Sequence, residues 1–298
     1  MTENLTQEQI EEITKCRLRP IYFIRKYCVI RHPQRGIIPF DLYPFQENVI
    51  NRILTNRFVI IVKGRQMGLS TLLAAYCVWF ACFFQAKQIL ILANKGSVAS
   101  NIIRKCKLFF ENIPSWLVPQ QTNDNMQSLM FDNASIIAAT TTTPDAARSE
   151  ALSFMIFDEA AMVRNRLIQE VWTSARPTLS TGGSAIILST PKGIGNWFHS
   201  MWVKAESGEA EIIDSKEPER NVSFFPIKLH WSLHPERDEA WAADELKTMN
   251  PREFAQEHEC VTLDTFLELK DIYTNEIIRM TISELKNALE QRDKNKKE

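Results

Sequence analysis

KGRQMGLST, residues 63–71, lies between the apolar run FVIIV (58–62) and a second apolar stretch, LLAAYCVWFACFF (72–84). A strand, a tight turn and then a helix is the order in which a phosphate-binding loop is built, with backbone N–H groups wrapping the phosphates where the helix begins. Laid on the frame GxxxxGK[ST], Lys63 takes the first glycine slot, Gly68 the second, Leu69 the lysine slot and Ser70 the hydroxyl slot. The charge is missing only from its usual place. Lys63 and Arg65 stand at the start of the loop, and a loop curled around phosphates brings its first residues back towards them. By spacing alone the match is weak, and a tight strand-to-helix turn without a ligand accounts for the stretch better.

Working outward, short apolar runs recur at QILILA (88–93), FMIFDE (154–159), SAIILST (184–190) and SFFPIKL (223–229). Runs apolar on both faces, separated by amphipathic segments, predict an α/β fold with a central, mostly parallel sheet covered by helices on both sides. LMFDNASIIAAT (129–140) predicts a hairpin turning at Asp132-Asn133, an antiparallel addition at one edge. Leu72 to Phe84 is shorter than the roughly 20 residues a membrane span needs and reads as a buried helix.

The second chemical element is MIFDEAA (155–161), an apolar strand ending in paired carboxylates, where open α/β sheets bind ligands. There Asp158 would hold a magnesium ion and Glu159 would orient and deprotonate an attacking water. A lone Asp-Glu pair is also what a helix N-terminus favours. Preceded some ninety residues earlier by a near phosphate loop, the pair reads as catalytic. The third element, ILSTPKG (187–193), ends a strand in Ser189, Thr190 and Pro191, small groups suited to sensing a γ-phosphate, although STPKG alone is an ordinary turn.

With 298 residues, 45% of them apolar, the chain has room for one large domain or two smaller ones. Its 35 basic and 36 acidic side chains nearly cancel, so a nucleic-acid contact must come from a local patch. Between Ile13 and Phe40 lie seven cations (Lys15, Arg17, Arg19, Arg25, Lys26, Arg31, Arg35) and no acid, which is either such a patch or a solvated helix face. Six cysteines without CxxC pairs suit a reducing compartment, and the polar, acidic N-terminus carries no signal-peptide pattern. Residues 205–221 are charged and read as an exposed excursion.

These elements together resemble the ATPase domain of the large terminase subunit of tailed phages. That resemblance implies a P-loop NTPase of the ASCE type and a phosphate loop whose cation stands early, as Lys63 and Arg65 do, with Leu69 a family trait. It covers roughly residues 36–259, after a basic helical region or lid at 1–35. Over LYPFQENVI (42–50) it implies an adenine-recognising segment with Gln46 as the hydrogen-bonding residue and Tyr43 or Phe45 as a packing surface. The phosphate cradle would be Gly64, Gln66, Met67, Gly68, Leu69, Ser70 and Thr71, with Ser70 and Asp158 on Mg2+. ILANKGSVAS (91–100) resembles the strand and loop that follow the first helix. Arg148, eleven residues before Glu159, stands at the spacing of an arginine finger, and Ser189, Thr190 and Pro191 match the coupling motif. Implied with these are ATP hydrolysis, double-stranded DNA, a portal protein, a small terminase subunit, a homo-oligomeric ring on the procapsid, and the host cytoplasm without membrane association. A helicase or a non-hydrolysing nucleotide-binding scaffold are the alternatives.

The resemblance is expected to end at NPREFAQEHE (250–259), and the 39 residues after it are too few for a nuclease domain, so nuclease activity is not expected. His230, His234 and His258 are scattered and read as structural. CVTLDTFLEL (260–269) is instead similar to the opening block of an intein, and MTISELKNAL (280–289) to the short amphipathic piece that follows in brief N-terminal fragments of split inteins. That implies Cys260 as the splicing nucleophile and a separate C-terminal intein–nuclease chain as partner. The chain would close in a short helix and a charged tail, DKNKKE.

Overall fold

A computed structural model describes residues 5–143, 145–146, 151–209, 222–260, 266–270, 276–281, 284, 285 and 288. Arg148, most of the 205–221 excursion and most of the expected closing helix lie outside the described residues.

The chain opens with α1 (Gln7–Leu18), started by a capping box in which Gln9 N donates to Thr6 Oγ1 at 3.2 Å and Thr6 N donates to Gln9 Oε1 at 2.9 Å. Then come α2 (Pro20–Tyr27) and an antiparallel hairpin of β1 (Val29–His32) and β2 (Gly36–Pro39), so residue 35, the expected end of the basic region, falls in a hairpin turn. Part of the basic patch is neutralised internally. Lys26 pairs with Glu12 at 2.8 Å, Arg25 Nε pairs with Glu47 at 2.9 Å, and Lys15 Nζ sits 3.9 Å from the centre of the Tyr22 ring.

Alternation follows: α3 (Pro44–Thr55), β3 (Phe58–Lys63), α4 (Leu69–Phe83), β4 (Gln88–Ala93) and α5 (Gly96–Glu111). Next are three short strands, β5 (Gln121–Asp124), β6 (Ser128–Phe131) and β7 (Ile136–Thr141). After them run β8 (Phe154–Asp158), α6 (Asn165–Thr178), β9 (Ser184–Ser189), α7 (Trp197–Glu206) and β10 (Phe225–Leu229). Two further helices, α8 (Glu239–Thr248) and α9 (Pro251–Phe254), lead into a π-helical turn at Ala255–Glu259, and β11 (Phe266–Lys270) pairs antiparallel with β12 (Ile277–Thr281).

Eight strands form one sheet in the order β10-β3-β9-β8-β4-β7-β6-β5, parallel from β10 to β7 and antiparallel at β6 and β5. The expected edge hairpin is β6–β7, its turn helped by the left-handed backbone of Ala134 (φ 64°). Side chains alternate between two cores as a period of two requires. Val59, Ile61, Ile89, Ile91, Phe154 and Ile156 join the core beneath α4 and α5, whereas Ile60, Val62, Leu90, Leu92, Met155 and Phe157 join the core of Trp172, Trp197 and Phe224. Because both faces are apolar, neither can be left to water, and helices must cover each. α4 is apolar on nearly every side for the same reason, being packed between the sheet, α2 and α5. Among the described residues no helix is long and apolar enough to cross a membrane.

This topology positions the site. β9 is inserted between β3, which leads into the 63–71 loop, and β8, which ends in Asp158. The carboxyl ends of three adjacent parallel strands therefore open on one edge, where ligands bind in open α/β sheets.

Candidate nucleotide site

Gly68 caps α4 in the left-handed conformation (φ 71°), which an L side chain rarely adopts. A Cβ on it would also stand 2.6 Å from Gln46 Nε2. Beyond that cap, Ser70 Oγ donates to Asp158 Oδ2 at 2.9 Å, joining the helix start to the end of β8. Asp158 is 2% exposed, and its other oxygen, Oδ1, is buried without a hydrogen-bond partner among the described residues. Burial pushes its pKa up, against the attraction of Lys63. A buried carboxylate oxygen with nothing to accept is costly. Beside a hydroxyl it is the oxygen donor set that suits a small, hard divalent cation such as Mg2+.

Glu159 sits one residue past β8 with positive φ (54°), uncommon for a side chain of its size. In that turn its carboxylate meets three groups from two neighbouring strands. Lys63 Nζ, at the end of β3, lies 2.9 Å from Oε1; Ser189 Oγ donates to Oε2 at 3.3 Å and Thr190 N donates to Oε2 at 3.4 Å. Ser189 Oγ also accepts from Ala161 N at 3.2 Å, so the third sequence element is hydrogen-bonded to the second. Pro191 follows, lining a separate cavity of about 960 Å³ with Lys192, Lys228 and Cys260.

The loop itself is braced from outside. Arg237 Nη1 donates to Arg65 O at 2.9 Å and Arg237 Nη2 to Gln66 O at 3.3 Å, so one guanidinium holds two loop carbonyls. Gly64 N donates to Leu229 O at 2.9 Å and Arg65 N to Glu257 O at 2.6 Å. A Cβ on Gly64 would stand 2.8 Å from His258 O, so only glycine lets the π-helical turn approach so closely. Arg65 Nε lies 2.8 Å from Glu257 Oε2, a close ionic contact outside hydrogen-bond alignment. Sequence reasoning missed Arg237 and Glu257, and no spacing rule would have found them, because each reaches the loop across more than 170 residues.

Gln46 is 1% exposed and works inside the protein: its Oε1 accepts from Tyr43 N at 3.1 Å and its Nε2 donates to Met67 O at 3.2 Å. It thereby ties the start of α3 to the loop, with one N–H and one lone pair to spare. Tyr43 stacks on Phe45 and lies 4.7 Å from His234, centre to centre. A cavity of about 560 Å³, within the range of small-molecule sites, is lined by Tyr43, Gln46, Gly68 and Thr71. Met67 and Leu69, placed in the cradle by sequence, turn their side chains into the core beneath α4, leaving only backbone for a ligand. His258 packs against Trp241 and Phe254, and His230 Nδ1 lies 2.8 Å from Ser232 Oγ, both in structural surroundings.

The burial of Leu69 predicts an effect on stability that is separate from catalysis. Leu69→Ala would be harmless if the slot were merely vacant. At 2% exposure it should instead cost about 3 kcal/mol of stability, as truncation of a packed leucine does, lowering the melting midpoint without the roughly hundredfold loss of turnover that follows removal of a charge-stabilising donor. Thermal melting and ATPase assays on the same preparation separate the two effects.

Cys260 is buried in the Trp172 core, its backbone left-handed (φ 60°) and its Sγ donating to Leu229 O at 3.1 Å. Burial pushes the thiol pKa up to about 12. The residue expected to be a nucleophile is therefore held as a neutral thiol in this structure.

A loop capped by glycine at a helix start, a buried aspartate hydrogen-bonded to the helix hydroxyl and a glutamate one residue on, all across an inserted strand, define a P-loop NTPase of the ASCE type. Residues 60–280 match the family model described as terminase large subunit, T4likevirus-type, N-terminal, and the chain belongs to that family. The match starts later than residue 36 and runs past Glu259, where the resemblance was expected to stop. The large terminase subunit of Thermus virus P23-45 is 36% identical over 120 residues, which is 39% of this chain and 24% of that protein. Among solved structures, the large terminase ATPase domain of Thermus phage P74-26 aligns with TM-score 0.57 at 24% identity, over 74% of this chain and 95% of that one. The large terminase of bacteriophage HK97 aligns with TM-score 0.64 at 18% identity, over 85% of this chain and 56% of that one.

Proposed function

We propose that this chain is the ATP-hydrolysing motor domain of a terminase, driving double-stranded DNA into a procapsid in the host cytoplasm. The observation that carries the reading is the set of contacts at the strand ends, Ser70 with Asp158, and Glu159 with both Lys63 and Ser189. In that site the N–H groups of residues 66–70, past the two that bond to the Leu229 and Glu257 carbonyls, would wrap the phosphates. Mg2+ held by Ser70 and Asp158 would neutralise charge on the phosphate oxygens. Glu159 would take the proton of the attacking water. Without nucleotide, Lys63 neutralises Glu159. An arriving γ-phosphate competes for Lys63 and frees the base, and Ser189 and Thr190, bonded to the same carboxylate, would pass the change to α7. Arg148, outside the described residues, would serve as the arginine finger of a neighbouring subunit in the ring, and the portal protein and small terminase subunit would complete the machine.

The test is ATP turnover by the purified chain with and without duplex DNA. Magnesium-dependent turnover is the expected result. Its absence under conditions where ATP binds would favour the nucleotide-binding scaffold, and ATP-driven strand separation would favour a helicase.

The reading also includes splicing at Cys260. The Cys260 thiolate would attack the Glu259 carbonyl, the peptide C–N bond would break, the Cys260 amine would take up the proton, and a thioester would join the two residues. With its thiol pKa near 12, Cys260 is switched off in the chain alone, and docking of a C-terminal intein–nuclease chain must release it from the Leu229 carbonyl. The raised pKa means less thiolate, so at pH 8 native Cys260 should react with a thiol reagent about a thousandfold more slowly than an exposed cysteine. All six cysteines are buried and unpaired, so six equivalents should appear on denaturation. A rapidly labelled Cys260 in the native chain, or no ligated product joined after Glu259 when a C-terminal partner is demonstrably bound, would count against this part of the reading.

A further inference from the structure

Both cations that the loop sequence offers are held by carboxylates, Lys63 by Glu159 and Arg65 by Glu257. A third cation reaches the same loop from α5. Lys105 Nζ donates to Thr71 Oγ1 at 2.9 Å, its only hydrogen bond among the described residues. Among the described residues no carboxylate forms an ion pair with Lys105, and burial lowers its pKa against the attraction of Asp158.

Geometry indicates which anion would supply one. Successive helical residues are about 100° apart around the axis, so Ser70 and Thr71 face different sides of α4. Ser70 faces Asp158, the side on which metal and terminal phosphates belong. Thr71 faces Lys105 and the cavity of about 560 Å³ that also holds Tyr43 and Gln46. Arg31 and Arg104 border that cavity too, giving it a cationic wall.

We infer that Lys105 binds the α-phosphate of the nucleotide, the one next to the sugar, and so fixes the base end of the ligand against Tyr43 and Gln46. This rests on the nucleotide-site reading above and assigns a role to a residue outside the loop motif. Lysine suits the task because it acts as a compact point charge on a flexible stem, able to leave the Thr71 hydroxyl for a phosphate oxygen without moving α5.

The experiment is a set of dissociation constants for adenosine, AMP, ADP and a non-hydrolysable ATP analogue with Mg2+, measured on the wild-type chain, Lys105→Met and Lys63→Met. Loss of a charge-assisted hydrogen bond at the α-phosphate should weaken AMP, ADP and the ATP analogue by the same factor, about ten- to a hundredfold, and leave adenosine unchanged. Lys63→Met should weaken the triphosphate selectively. Weakening by Lys105→Met confined to the triphosphate, or no weakening in a variant that melts like wild type, would overturn the inference. Lys105→Gln replaces Lys105→Met if the latter does not fold. On the unmodified chain, AMP but not adenosine should protect Lys105 from amine acetylation, read by peptide mass, and equal labelling with and without AMP would overturn it. A wild-type chain that binds none of the four ligands would overturn the nucleotide-site reading itself, a result distinct from tight wild-type binding that is indifferent to Lys105.

Discussion

Glu159→Gln should lower ATP turnover by about 10²- to 10⁴-fold, the usual contribution of a positioned general base, while ATP affinity stays close to wild type. Glutamine keeps the shape of the side chain, and its carbonyl oxygen can still accept from Ser189 Oγ and Thr190 N, which lie 3.3 and 3.4 Å from the native Oε2. What it loses is the capacity to take a proton and the charge that Lys63 faces at 2.9 Å. Lys63 then has no carboxylate to release before it meets the phosphates, so ATP binding should hold or tighten. Single-turnover hydrolysis and calorimetric binding on the same variant check both halves. Turnover within a few fold of wild type would remove Glu159 from the catalytic role.

Lys63→Met should be the more damaging change, because it affects both stability and chemistry. The Lys63 side chain is 7% exposed and that of Glu159 27% exposed, so the methionine leaves a half-buried carboxylate without its cation. Removing one partner of a fully buried pair costs roughly 3–5 kcal/mol. The partial exposure of Glu159 lets water make up some of this, and a loss of about 2 kcal/mol is expected. Turnover should fall by a further factor of about 10² to 10³ if Lys63 meets charge developing on the γ-phosphate. The double variant Lys63→Met/Glu159→Gln separates the two consequences. With both charges gone it should recover most of the lost stability and none of the turnover. Additive losses of stability in the double variant would show that the pair is not coupled in the folded chain.

The sequence determined the fold through a property each segment carries by itself. FVIIV, QILILA, FMIFDE and SAIILST are apolar at odd and even positions alike, and a strand with two apolar faces must be covered on both, which leaves a helix-covered parallel sheet. The order glycine, leucine, serine after one strand and aspartate, glutamate after another placed the hydroxyl and the carboxylates at strand ends. Their meeting at 2.9 Å follows from the sheet order, in which only β9 separates β3 from β8.

Tertiary structure alone decided where the charges go. Lys63 and Arg65 are two residues apart, and the sequence treats them as equivalent cations. The structure gives Lys63 to Glu159 at the strand end and Arg65 to Glu257 on the π-helical turn, because Lys63 still belongs to β3 whereas Arg65 lies in the loop beyond it. Lys105, Arg237 and the burial of Cys260 were illegible for the same reason. Each depends on the direction of one side chain across an element pairing distant in sequence, such as α5 on α4 or the 255–259 turn on the loop. A pattern of apolar residues fixes which faces are buried, since burial is non-directional and accumulates over a whole segment. A hydrogen bond or ion pair depends on a few tenths of an ångström at a single atom, and only the packed chain sets that distance.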